Sequence, residues 1–148
     1  MDTTPNLEFA FEVRAQVGPP MDLGTHRRVP IIGGTFEGPR LRGQVLPGGS
    51  DRQVTRADGA VELKARYTLE TDHGEQISVV NRGIRVASPE VIEKLKAGIP
   101  VDPALVYCRT TPLFITAAPA LQWLTSSVFV GSADRYPSEV VIRFWRFK

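Results

Sequence analysis

Between two tight-turn signals the chain alternates without a break. After Ala57-Asp58-Gly59, residues 60–70 set Val61, Leu63, Ala65, Tyr67 and Leu69 on one side and Glu62, Lys64, Arg66, Thr68 and Glu70 on the other, before Asp72-His73-Gly74. A period of two over that length describes a strand with one face buried and one in water; a helix would scatter the same residues around its axis. Residues 7–17 repeat the pattern with Leu7, Phe9, Phe11, Val13, Ala15 and Val17 on one parity. Residues 75–85 repeat it again, with Ile77, Val79 and Asn81 inward.

Turn chemistry divides the rest into short strands. Gly18-Pro19-Pro20 ends the first, because proline offers no amide hydrogen to a ladder. Strands near 29–36 and 40–46 are separated by Gly38-Pro39 and closed by Pro47-Gly48-Gly49, and further strands fill 104–116, about 126–133 and 138–147. One segment near 88–98 predicts a helix: Ser88 suits the N-cap, Pro89 the first helical position, and Gly98 the stop. About nine strands with one short helix predict an all-β protein, a single antiparallel barrel over residues 1–148, since closure removes the exposed edges of an open sheet.

Composition narrows the partners. The 18 Lys and Arg against 16 Asp and Glu are interleaved, not gathered into a stripe, which argues against nucleic acid. No stretch approaches the ~20 apolar residues of a membrane-crossing helix, and no basic and apolar leader opens the chain. A cytoplasmic protein without membrane attachment is expected. One cysteine and two histidines, His26 and His73, disfavour disulfides and a metal centre, and no phosphate-binding loop or nucleophile elbow occurs. No cofactor is expected.

The register of the meander suggests where chemistry lies. Read as a two-residue turn, Asp58-Gly59 pairs Arg52 with Ala65 and Asp51 with Arg66. A loop pairing Thr71 with Glu75 sets Tyr67 opposite Val79 and Ala65 opposite Asn81. Arg52, Tyr67 and Asn81 then share the apolar face of three neighbouring strands, as a cation, a phenol and an amide that need partners or a polar ligand. Either they satisfy one another in a filled barrel or they line a pocket. Tyr107 and Arg109 share a parity on a later strand and are candidates for the same cavity. Trp123 is a candidate ligand wall or a core residue at a barrel end. Cys108 reads as a packed small hydrophobe, and Asp51 with Arg66 as a surface ion pair.

Several stretches together resemble the domain-of-unknown-function 3237 family. They are Gly33-Gly34-Thr35-Phe36-Glu37-Gly38-Pro39, Leu41-Arg42-Gly43, Val45-Leu46-Pro47-Gly48-Gly49 with Asp51, Ala65-Arg66-Tyr67-Thr68-Leu69, Asn81-Arg82-Gly83, Tyr107 with Arg109-Thr110, Trp123-Leu124 and Phe129-Val130-Gly131. The resemblance implies a lipocalin-like antiparallel barrel that commonly self-associates, so a homodimer or higher homo-oligomer is expected. For some members it implies cofactor-independent enzymes of aromatic or phenylpropanoid-type metabolism. Arg52 stands where the family often has tryptophan, Lys64 where an acid is frequent, and Thr125 where asparagine is.

The combined expectation is a cofactor-independent lyase or isomerase acting by proton transfer on an aromatic, phenolic or carbonyl-bearing small molecule inside the barrel. Arg52 and Asn81 would steady developing negative charge and Tyr67 would relay a proton. The alternative is a barrel that binds a small molecule without transforming it.

Overall fold

Alternation at period two produces long strands, and the computed structural model, which describes residues 2–148, closes them into an antiparallel barrel. The strands are β1 Leu7–Val17, β2 Met21–Asp22, β3 Arg27–Glu37, β4 Arg42–Val45, β5 Gly49–Thr55, β6 Val61–Thr71, β7 Gln76–Val86, β8 Tyr107–Ile115, β9 Phe129–Arg135 and β10 Glu139–Phe147. Going round the wall, β1 pairs with β10, then β9, β8, β7 and β6, and the β1–β3 pairing closes the ring. The gap between β6 and β3 is filled by β4 at one end and β5 at the other, two pieces of one strand position interrupted at Leu46-Pro47-Gly48. The described residues thus hold ten strands, not about nine; the additional one is the two-residue β2, whose only partner is β3.

The one α-helix among the described residues, α1 Pro89–Lys96, begins where the sequence placed it. Ser88 Oγ accepts from the Val91 amide at 3.3 Å, and Ile92 and Leu95 pack with Val61 against one end of the barrel. At the opposite end a 3-10 turn, Pro119–Leu124, lays Leu121 and Leu124 into the core beside Leu41. The core there is aromatic: Phe11 lies 5.1 Å from Phe144 and 5.5 Å from Phe114, ring centre to ring centre, and Phe114 lies 5.1 Å from Phe129. This end is packed solid.

Two registers depart from expectation. In β1 the pairing with β10 shifts between Phe9 and Phe11, so Ala10 and Phe11 both turn inward and Leu7 and Phe9 turn out. Phe9 then meets Trp145 edge-to-face at 6.3 Å on the outer surface. The second departure is in the β5–β6 hairpin. Its ladder pairs Asp51 with Ala65, Arg52 with Lys64 and Gln53 with Leu63, one residue away from the two-residue-turn register. Arg56 N donates to Ala60 O at 2.8 Å, so the loop is the three residues Ala57, Asp58 and Gly59, with Gly59 at φ +88°. A three-residue loop ending in a left-handed glycine is the next most favoured hairpin solution. The β6–β7 hairpin keeps the expected register, with Thr71 N donating to Glu75 O at 2.8 Å and Ala65 opposite Asn81.

Candidate active site

The one-residue displacement of β5 exchanges its faces, because side chains alternate at every step. Arg52 points outward and is exposed, whereas Asp51 and Gln53 face the lumen. The expected surface pair of Asp51 with Arg66 is therefore also corrected: Asp51 is an interior carboxylate. On β6 and β7, Tyr67 and Asn81 lie on the lumen wall, each 4% exposed. The same parity of β7 brings in Arg85, 6% exposed. Sequence reasoning stopped that face at Asn81, although alternation runs on through Gly83 to Arg85. Gly83 has a structural reason: a Cβ there would sit 2.5 Å from Thr110 Cγ2 and 2.4 Å from Arg109 O.

The parity assumed for β8 is reversed. Tyr107 is 56% exposed and Arg109 lies outside with its guanidinium 5.3 Å from the Tyr107 ring centre and Nη1 donating to Cys108 O at 3.0 Å. Neither contributes to the lumen; Cys108 and Thr110, between and beyond them, do. Trp123 is likewise away from the cavity. It packs on Phe129 at 6.0 Å in the sealed end, with the Arg40 guanidinium 4.1 Å above its ring.

The cavity occupies the end of the barrel beneath α1. It holds about 70 Å³, with Ala15, Val17, Ile31, Leu63, Ala65 and Ile142 among its apolar walls. Its polar members are Asp51, Gln53, Tyr67, Asn81, Arg85, Cys108, Thr110 and Arg135. A constriction of about 10 Å³, lined by Pro20, Arg27, Val29, Gln53, Arg85, Leu95 and Arg135, separates it from an outer pocket of about 410 Å³ that again includes Arg27, Gln53 and Arg85. Arg27 Nη2 donates to Lys96 O at 2.9 Å and so ties the last turn of α1 over this neck.

Five shielded polar atoms on these walls have no hydrogen-bond partner among the described residues: Asp51 Oδ1, Tyr67 Oη, Asn81 Oδ1, Arg85 Nε and Thr110 Oγ1. Unpaired buried polar groups are rare because each forfeits its hydration, at a cost of about 1–3 kcal/mol. All five converge on one cavity. The remaining polar contacts form a relay: Arg85 Nη2 donates to Gln53 Oε1 at 3.5 Å, and Gln53 Nε2 donates to Asp51 Oδ2 at 3.0 Å. Burial raises the Asp51 carboxyl above its ordinary 3.8, against the opposing pull of the Gln53 hydrogen bond and the Arg85 charge. Burial also raises the Tyr67 phenol, helped by the Asp51 charge, so Tyr67 stays a neutral donor. The Cys108 thiol is pushed up to about 11 by burial, which keeps it from serving as a nucleophile near neutrality.

Fold and site together define a closed antiparallel barrel, sealed at one end and hollow at the other, whose hollow collects ionisable side chains. The chain belongs to the family described as protein of unknown function DUF3237, whose model matches residues 5–147. A UPF0311 protein of Rhodopseudomonas palustris is 44% identical over 146 residues, spanning 94% of this chain and 95% of its own. A crystal structure of a conserved protein from the same organism superposes with a TM-score of 0.95 at 42% identity, covering 100% of both chains. A Penicillium herquei hydroalkoxylation enzyme is 24% identical over 151 residues, spanning 99% of this chain and 86% of its own. No helix among the described residues is long and apolar enough to cross a membrane.

Proposed function

We propose that the chain is a cofactor-independent lyase or isomerase that moves a proton on a carbonyl-bearing small molecule held in the hollow end of the barrel. The observation that carries this reading is the convergence of five unpartnered donors and acceptors on one cavity, with a carboxylate of raised pKa among them. Asp51 is the general base: a carboxyl whose pKa is lifted toward neutrality is a stronger proton acceptor at working pH. It takes a proton from carbon beside the carbonyl, and the C–H electron pair passes to the carbonyl oxygen as an enolate. Arg85 Nε and Tyr67 Oη are the donors for that oxygen, and Asn81 Oδ1 accepts from a substrate hydroxyl. Where the ketone carries a β,γ double bond the enolate extends over it, and return of the proton from Asp51 to the γ carbon completes an isomerisation. Alternatively, Asp51 removes the hydroxyl proton of a β-hydroxy ketone, the adjacent C–C bond breaks to release an aldehyde, and the enolate, held by the hydrogen bond from Tyr67, takes that proton back from Asp51 at carbon.

The volume limits what enters. The inner cavity, about 70 Å³, is roughly half the size of a cavity of about 150 Å³ that accommodates benzene. A carbonyl arm of a few atoms fits within, and an aromatic ring, where the substrate has one, stays in the outer pocket. The distant Penicillium relative, named for adding an alcohol across a double bond, supports proton-transfer chemistry in such a barrel.

The test is deuterium exchange from heavy water into 2-hexanone and 4-hydroxyphenylacetone, followed by NMR. Asp51→Asn should slow exchange by about 10²–10⁴-fold, the usual contribution of a positioned base. Tyr67→Phe should slow it as well, and Arg52→Gln, which lies outside the lumen, should leave it unchanged. Exchange of both ketones at the Asp51→Asn rate in the unaltered protein overturns the reading.

A further inference from the structure

Three arginine side chains line the constriction between the inner cavity and the outer pocket. Arg27 comes from β3, Arg85 from β7 and Arg135 from the end of β9, and all three line the same space of about 10 Å³. No carboxylate lines that constriction; the nearest acids on either side are Asp51 in the inner cavity and Asp22 in the outer pocket. None of the three arginines forms an ion pair within 4 Å among the described residues, in contrast to Arg14, Arg42, Arg56, Arg143 and Arg146 on the outer surface. Their bonds are to neutral oxygens: Arg27 to Lys96 O, Arg135 to Tyr136 O and Arg85 to Gln53 Oε1, with Arg85 Nε left unpartnered. Gathering like charges in a partly desolvated neck costs free energy unless an anion joins them.

We infer that the arginines of the neck, two of which also line the outer pocket of about 410 Å³, bind the carboxylate of the substrate at the outer mouth of the neck, so that the substrate is a short oxo or hydroxy carboxylic acid whose carbonyl end reaches into the inner cavity. The inference deepens the proposed function, since it takes the hollow end to be where that substrate sits. Planar guanidinium groups match a carboxylate through paired N–H donors. Burial lowers the proton affinity of Arg85 and Arg135; for Arg135 the charges of Arg85 and Arg27 lower it further, and for Arg85 the charge of Arg27 does so against the opposing pull of Cys108 and Asp51. With the carboxylate at Arg27, Arg85 and Arg135, the ketone oxygen two or three carbons further on enters the chamber that holds Asp51, Tyr67 and Asn81. The inner volume of about 70 Å³ accepts a chain of that length.

The experiment compares 4-oxopentanoate with 2-hexanone, a near-isostere that carries no charge, by titration calorimetry. The acid should bind at least about tenfold more tightly, the value of one charge-assisted hydrogen-bonded contact. That preference should fall several-fold in Arg85→Gln and in Arg135→Gln. Arg27→Gln, at a partly exposed position, gives a third variant whose folding does not depend on a buried guanidinium, and it should show the same loss. Asp51→Asn separates the two proposals: it should retain or strengthen binding of 4-oxopentanoate while slowing deuterium exchange by about 10²–10⁴-fold. Equal binding of acid and ketone, or a preference that survives in all three arginine variants, overturns the carboxylate site. Phenyl phosphate displacing 4-oxopentanoate at a tenth of its concentration overturns the choice of carboxylate over phosphate.

Discussion

Asp51 concentrates the cost of the site in one side chain. Its carboxyl prefers the protonated form in the folded protein more than in the unfolded chain, because burial outweighs the Gln53 hydrogen bond and the Arg85 charge. For a raised carboxyl, the favourable contribution to folding is fully present below the ordinary value of 3.8 and is lost as pH climbs through the higher folded value. Asp51→Asn removes the titration and keeps the shape. The variant should therefore melt at a higher temperature than the parent at pH 8, and the difference should shrink as the pH approaches 4, read by thermal unfolding monitored by circular dichroism. A variant equally or less stable at pH 8 contradicts a desolvated carboxylate at this position. Tyr67 and Asn81 were legible from the sequence because their hairpin had an unambiguous loop and both neighbours in the pattern were apolar. Asp51 was not: a lone acid beside Arg52 reads as surface until the strand's face is known.

At the scale of elements, one residue in a turn decides which of two adjacent side chains belongs to the site. Asp58 bridges its own loop, accepting from the Ala60 amide at 3.1 Å and from Arg56 Nε at 3.1 Å, and this bonding accompanies the three-residue loop. The Asp-Gly pair announces a hairpin but does not say which residue precedes it inside the loop, so the strand was found and its faces were interchanged. The outward face has its own consequence. Arg28, Arg52, Lys64 and Arg82 lie directly opposite one another across β3, β5, β6 and β7, a row of like charges spanning four strands; basic residues that the sequence interleaves with acids are thus gathered into a stripe by strand pairing, contrary to expectation. Arg82 and Arg66, then Arg52, lower the proton affinity of Lys64. Opposed like charges weaken a sheet. Lys64→Glu should raise the melting temperature at low ionic strength, and the gain should fade toward 1 M salt, where the screening length is about 3 Å. A gain independent of salt would show that something other than charge is being changed.

Across the whole molecule the two ends of the barrel do different work. Phe11, Phe36, Phe114, Phe129 and Phe144 fill the end covered by the 3-10 turn, whereas the end under α1 is given to the cavity. Phe144 is wholly buried, with its ring 5.1 Å from Phe11 and 5.3 Å from Phe114. Phe144→Ala should cost about 3–5 kcal/mol in denaturant unfolding, as large-to-small changes in packed cores do. Binding of 4-oxopentanoate by the folded fraction should be unaltered, because no atom of Phe144 lines the hollow end. A parallel loss of binding would mean that the two ends are mechanically coupled. The barrel and its helix were legible in period and punctuation. The division into a solid and a hollow half was not, since it depends on which strand ends meet, and that is fixed by registers far apart in the chain.

Sealing one end makes arrival and departure the same journey in opposite directions. On the proposed function, a product leaves as the substrate came, beneath the last turn of α1 and past the Arg27 side chain that fastens that turn. No successor can come in until it has gone. Turnover of the proposed kind would then be single-occupancy, its pace set by the helix and its tether as much as by the bond chemistry inside.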